Sequence, residues 1–161
     1  MSRKDHYPGY VVILSLLLAL ILSLVPLPDL LGAARPAVVL LVAIYWTQSL
    51  PGAFGLTAAM LMGLILDILS GSLLGQHAFA FVLVCYGVTK LRDSMRMFPG
   101  WQQGLVLLPL LAIYEFVLFW FDGISGRQAD AMGRWLPVIS TAFCWPLLCS
   151  VLLPFRSSVR H

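Results

Sequence analysis

Apolar residues occupy this chain in six runs, separated by short polar or proline-bearing breaks. The runs predict an all-α bundle of membrane spans at about 10–28, 36–50, 54–74, 78–91, 103–121 and 135–153, forming a single domain over residues 1–161. Pro26 and Pro28 mark the end of the first span, and Pro36 suits the first turn of the second. Pro51-Gly52 breaks the chain before the third. Runs two and four are shorter than the ~20 residues that normally cross a bilayer, so they need polar ends, little tilt or shielding by neighbours. Pro109, Pro137 and Pro146 fall inside the last two spans, which are expected to bend. Arg3 and Lys4 before the first run imitate a signal peptide, with Gly32-Ala33-Ala34 as a weak cleavage site; five further apolar runs favour an uncleaved span.

The third run holds the most informative residue. Asp67 is a lone carboxylate far from either polar flank, and an ionisable group in hydrocarbon requires a partner or water. Ala59, Gly63, Asp67, Gly71 and Gly75 recur at every fourth position, the central three within roughly 80° of arc on a helix. Small residues at that spacing let another helix approach closely. Asp67 is therefore expected in a helix contact, either with a neighbour in the bundle or with a partner protein or ligand. Gln76 and His77, in the short turn that follows, read as a satisfied turn or as part of the same contact.

Composition agrees with the spans. The chain is 60% hydrophobic and 11% charged, against about half and a quarter in soluble domains. The net charge of +3 calls for no nucleic acid, because the basic residues flank apolar runs, where anionic lipids attract them. Six spans leave Arg3, Lys4, Lys90, Arg92, Arg96, Arg156 and Arg160 on one side, against Arg35, Arg127 and Arg134 on the other. The bias predicts cytoplasmic termini for a multi-pass membrane protein. Asp67 then lies about 20 Å, and Glu115 about 18 Å, into a core of ~30 Å. Arg35, Asp67 and Glu115, with His77, form a candidate polar cluster in the outer half. Lys90, Arg92 and Arg96, followed by Phe98 and Trp101, form a candidate cytoplasmic contact or lipid anchor.

Catalytic readings find little support. Gly123-Ile124-Ser125-Gly126 matches the short Gly-x-Ser-Gly signature of rhomboid proteases, but no histidine downstream of it is placed to activate Ser125. Asp67 and Glu115 lack the Gly-x-Gly-Asp context of intramembrane aspartyl proteases, since Ile65 stands two residues before Asp67. Cys85, Cys144 and Cys149 sit in apolar runs without metal-ligand spacing. The expectation is a protein that is not an enzyme and has no metal or cofactor.

Three stretches carry a resemblance. Leu66-Asp67-Ile68-Leu69-Ser70-Gly71-Ser72-Leu73-Leu74-Gly75-Gln76-His77-Ala78, Arg35-Pro36 opening a segment that reaches Ile44-Tyr45-Trp46, and Phe98-Pro99 with Trp101-Gln102-Gln103 resemble the bacterial rod shape-determining protein MreD family in its proteobacterial form. That family commonly has an aspartate after Arg-Pro, where this chain has Ala37. The resemblance implies a non-enzymatic, multi-pass component of the bacterial inner membrane and of the cell-elongation machinery, one that acts with an MreC-like membrane-anchored protein, the MreB filament, and the RodA glycosyltransferase with its penicillin-binding protein, to direct side-wall peptidoglycan synthesis. It also implies a fold similar to the substrate-binding subunits of energy-coupling-factor vitamin transporters. The every-fourth spacing and the turn that follows, rather than any residue role in the family, make Gly63, Asp67, Gly71, Gly75, Gln76 and His77 the candidate helix-packing or partner-binding residues. The alternative function is a small-molecule-binding transporter subunit, with Arg35, Asp67 and Glu115 lining an outward pocket.

Overall fold

The computed structural model describes residues 9–25, 35–50, 54–126 and 133–157, with side chains of the last stretch described as far as Leu152. Pro26, Pro28, Gly32-Ala33-Ala34, Pro51-Gly52 and the topology markers Arg3, Lys4, Arg127 and Arg160 lie outside the described residues, as does the side chain of Arg156. Among the described residues the fold is all-helical, with six helices and no strand: α1 Gly9–Leu24, α2 Val38–Ser49, α3 Leu56–Ser70, α4 Gln76–Met97, α5 Gly100–Ile124 and α6 Trp135–Ser157.

The shortest helix is the innermost. All nine residues from Val39 to Thr47 in α2 are buried, with Leu40, Leu41, Ala43, Ile44 and Trp46 fully enclosed. A helix that is apolar all round must be covered on every side, and α1, α4 and α6 pack against α2 to do so. At 12 residues α2 is only about 18 Å long. Its Trp46 indole donates to Ser15 Oγ of α1 at 2.9 Å.

Around it stand two helical hairpins. α3 and α4 form one, and they touch closest where Gly63 faces Ala78; a Cβ on Gly63 would lie 2.5 Å from Ala78 N and 2.8 Å from His77 C. α5 and α6 form the other, with Gly104 against the Ala142 carbonyl and Trp145 Nε1 donating to Gln103 Oε1 at 3.2 Å. α4 joins the hairpins by also packing on α5.

Several predicted boundaries are corrected, among them the end of α6, which continues to Ser157, past 153. α3 stops at Ser70 rather than 74, because Gly71 turns left-handed at φ 61°, and Ser72 N–H bonds back to the Asp67 carbonyl at 3.1 Å in a Schellman-type closure. Gly71 and Gly75 are therefore turn residues, and the helical small-residue stripe ends at Asp67. The fourth helix runs from Gln76 to Met97, well beyond 78–91, so Gln76 and His77 begin a helix and the basic Lys90–Arg96 stretch continues it. Lys, Leu, Arg and Met are good helix formers; only the Phe98-Pro99 pair, with Phe98 extended, ends the run. α5 extends three residues past the predicted run at each end, placing Asp122 on the helix and passing through Pro109 without interruption.

Large apolar side chains point outward around the bundle, among them Leu18, Leu61, Ile68, Phe79, Phe116, Trp120, Phe143 and Leu147. Among the described residues two helical segments, Gly100–Ile124 and Trp135–Leu152, are long and apolar enough to cross a membrane; α1, α2 and α3 are shorter apolar helices.

Candidate functional site

Asp67 stands on the last full turn of α3 and is completely enclosed. Oδ1 accepts from Ser72 Oγ at 2.8 Å, His77 N at 2.9 Å and His77 Nδ1 at 2.8 Å, while Oδ2 accepts from Gly75 N at 2.9 Å and Ala78 N at 3.4 Å. Those five donors match or exceed the roughly four lone-pair sites of a carboxylate. The backbone donors belong to the first turn of α4 and its cap, N–H groups that no intrahelical carbonyl can reach. The α4 N-cap residue, Gly75 at φ 99°, has no side chain to satisfy them. Asp67 therefore caps α4 from the neighbouring helix, and a negative charge there also complements the helix dipole.

This arrangement fixes the whole 71–77 turn. A carboxylate only accepts, so His77 Nδ1 carries the proton it shares with Asp67, and the ring is held in one orientation. Ser72 Oγ lies 3.3 Å from that same Nδ1 and donates to Asp67. A nucleophilic serine instead needs the far ring nitrogen as its base, so the Ser72, His77 and Asp67 trio is arranged to hold a turn. Leu73 and Leu74 are left exposed on the turn's outer surface, Leu74 at 72%.

A second polar chain lies beside it. Gln76 Nε2 donates to Asp122 Oδ1 at 3.3 Å, Asp122 Oδ2 accepts from Arg134 Nη2, and Arg134 Nη1 lies 3.7 Å from Glu115 Oε2. Gln76 Oε1 is buried without a hydrogen-bond partner among the described residues. Arg134 is thus the shared cation of two partly buried acids. Arg134→Gln is expected to lower stability by about 2 kcal/mol, since it leaves one acid unpaired. A thermal midpoint in detergent unchanged from wild type would show that the acids do not depend on it.

The predicted Arg35, Asp67 and Glu115 residues take separate partners. Arg35 donates to the Leu22 carbonyl at 3.0 Å and to the Ser23 carbonyl, closing the C-terminal end of α1. Glu115 faces Arg134. Arg35, Glu115 and His77 do line one cavity of about 260 Å³, with Ser23, Ser70 and Tyr114 also on its wall. Ser23 is next to the end of α1, Ser70 closes α3 and His77 follows the first residue of α4, so the cavity sits at the end of the bundle where these helices terminate. A second cleft of about 180 Å³, lined by Ala112, Phe116, Phe119 and Trp135 with Arg134, shares Glu115 with it.

The basic group lies at the opposite end. Arg92 Nε donates to the Gln48 carbonyl at 2.9 Å, tying α4 to the end of α2. Lys90 Nζ lies 5.5 Å from the Tyr86 ring centre, Arg96 is exposed and Trp101 is 62% exposed. The Gln76–Asp122–Arg134 chain was missed in the sequence because Asp122 reads as loop and Arg134 as a topology marker. Thr141 was missed too; its hydroxyl accepts the Ala37 N–H at 3.0 Å, so α6 caps α2.

The described residues thus form an all-helical bundle with outward apolar faces, two membrane-length helical segments and a polar cluster at one end. The profile of the rod shape-determining protein MreD matches residues 4–153, and the chain belongs to that family. It is 23% identical over 163 residues to the rod shape-determining protein MreD of Haemophilus influenzae, covering 99% of both chains. No solved structure matches it.

Proposed function

We propose that this chain is a non-enzymatic, six-span inner-membrane component of the cell-elongation machinery. It binds an MreC-like membrane-anchored partner and, with MreB, RodA and the RodA-associated penicillin-binding protein, helps direct side-wall peptidoglycan synthesis. Membership of the shape-determining family carries this reading. Several observations support the membrane placement. Successive helices alternate between an end bearing Arg35, the Asp67 turn and Arg134 and an end bearing Gln48, Arg92 and Gln103. Short α2 is shielded by its neighbours instead of facing lipid. Lys90 and Arg96 project from the end assigned to the cytoplasm, where anionic lipid attracts them.

The partner contact follows from how Asp67 is used. The Gly63–Asp67 face is already filled by α4, so the carboxylate acts on a partner through the turn that it orders. That turn presents Leu73 and Leu74 at the outer end of the bundle, beside His77. Leu74→Asp should leave the fold intact and reduce crosslinked recovery of the MreC-like partner at least fivefold at equal expression. Recovery equal to wild type would remove the turn from the interface.

A further inference from the structure

The cavity at the outer end offers a mixed set of groups. Arg35 uses one terminal nitrogen on the α1 carbonyls, so its remaining N–H groups can meet an anion on the cavity wall. His77 holds Asp67 through Nδ1 and lines the cavity with the rest of its ring. The Tyr114 side chain makes no hydrogen bond among the described residues and also reaches this wall. Opposite in charge stands Glu115, whose separation of 3.7 Å from Arg134 is longer than a hydrogen bond, leaving carboxylate oxygens to accept from a cation.

We infer that this cavity binds the zwitterionic headgroup of an aminophospholipid such as phosphatidylethanolamine, its phosphate toward Arg35 and its ammonium toward Glu115. The inference rests on the membrane placement proposed above. A guanidinium suits a phosphate because it presents several N–H groups in a rigid plane. A primary ammonium donates hydrogen bonds to a carboxylate, whereas a trimethylated one has no N–H to give. Size favours a headgroup over a whole solute: about 260 Å³ falls below the ~300–1,000 Å³ of pockets that enclose a drug-sized ligand. The adjoining apolar cleft, which shares Glu115 and is walled by Phe116, Phe119 and Trp135, gives an acyl chain a path out toward lipid.

The test is native mass spectrometry of the full chain released from detergent with phosphatidylethanolamine, phosphatidylcholine or phosphatidylglycerol of identical acyl chains. Wild type should retain one phosphatidylethanolamine about tenfold better than either other lipid, the scale of one charge-assisted hydrogen bond. Glu115→Gln should erase that preference, Glu115→Asp should keep most of it, and Tyr114→Phe should weaken it without disturbing any charge. Equal retention of the three lipids by wild type, or a preference that survives Glu115→Gln, would overturn the site. Displacement of bound lipid by millimolar phosphoethanolamine would overturn the lipid assignment in favour of a soluble zwitterion. A chain that fractionates with soluble protein would instead defeat the membrane placement, so the two failures are distinguishable.

Discussion

Asp67→Leu is expected to prevent stable accumulation of the protein. The substitution strips the acceptor from Gly75, His77 and Ala78 N–H groups at the start of α4, and from Ser72 and the His77 ring as well. A fully buried donor left unsatisfied costs about 1–3 kcal/mol; Gly75 and His77 are only partly buried and the Ala78 bond is long, so the three backbone groups together threaten a loss of about 3 kcal/mol. Against a typical total stability of ~5–15 kcal/mol, that is a large share. Asp67→Asn keeps one oxygen but turns an NH₂ toward backbone donors, so it should fall between Leu and wild type. The check is the thermal midpoint and yield of detergent-extracted protein, with His77→Ala as the second arm of a double-mutant cycle. An unchanged midpoint for Asp67→Leu would show that the carboxylate does not hold the turn, and additive losses for Asp67 and His77 would show that the imidazole has no share in holding it.

The second large effect belongs to Gly63. Its would-be Cβ meets the backbone of His77 and Ala78, which cannot swing aside as a side chain can, so even Gly63→Ala must push α4 away from α3. Overpacking of this kind costs about 1–3 kcal/mol for a methyl, and Gly63→Leu should fail to fold. Two other glycines calibrate the effect. Gly71→Ala has open space but a left-handed backbone at φ 61°, a penalty of about 1–2 kcal/mol. Gly87→Ala meets only the flexible end of Leu110, and should be mildest. The expected order of thermal midpoints is Gly87→Ala highest, then Gly71→Ala, then Gly63→Ala. A Gly63→Ala protein as stable as Gly87→Ala would contradict the close approach of α3 and α4.

These two positions also show what hydropathy and spacing reveal. A single acid in an apolar run announces that its environment is special, because the energetic penalty of burial is a property of the residue itself. Which donors satisfy it is a property of the following turn, and every-fourth spacing obscured that turn: Gly71 and Gly75 sit in register with Gly63, yet serve by taking left-handed backbone. Gly63, the one glycine of that series inside a helix, does make the close packing that small-residue spacing predicts.

Charged residues mislead in another way. Hydropathy falls at Lys90, but helix propensity does not, so α4 runs on to the stop set by Pro99. Arg35, Asp67 and Glu115 have suitable depths for a cluster, but depth leaves rotation about each helix axis open. Arg35, which precedes α2 and lies on no helix, closes the end of α1, while rotation about α5 pairs Glu115 with Arg134; only the cavity wall brings Arg35 and Glu115 together. The burial of α2 is the clearest case of a short run explained by its neighbours: nine consecutive buried residues need no contact with lipid.

Cell aspect ratio during depletion tests the central claim most directly. The strain is grown in rich medium, so that loss of a nutrient cannot imitate a shape defect, and is complemented in parallel with wild-type protein. Cells should round up and lose side-wall insertion on depletion, and recover rod shape with the wild-type copy. Rods that keep their aspect ratio after full depletion would contradict a role in cell elongation.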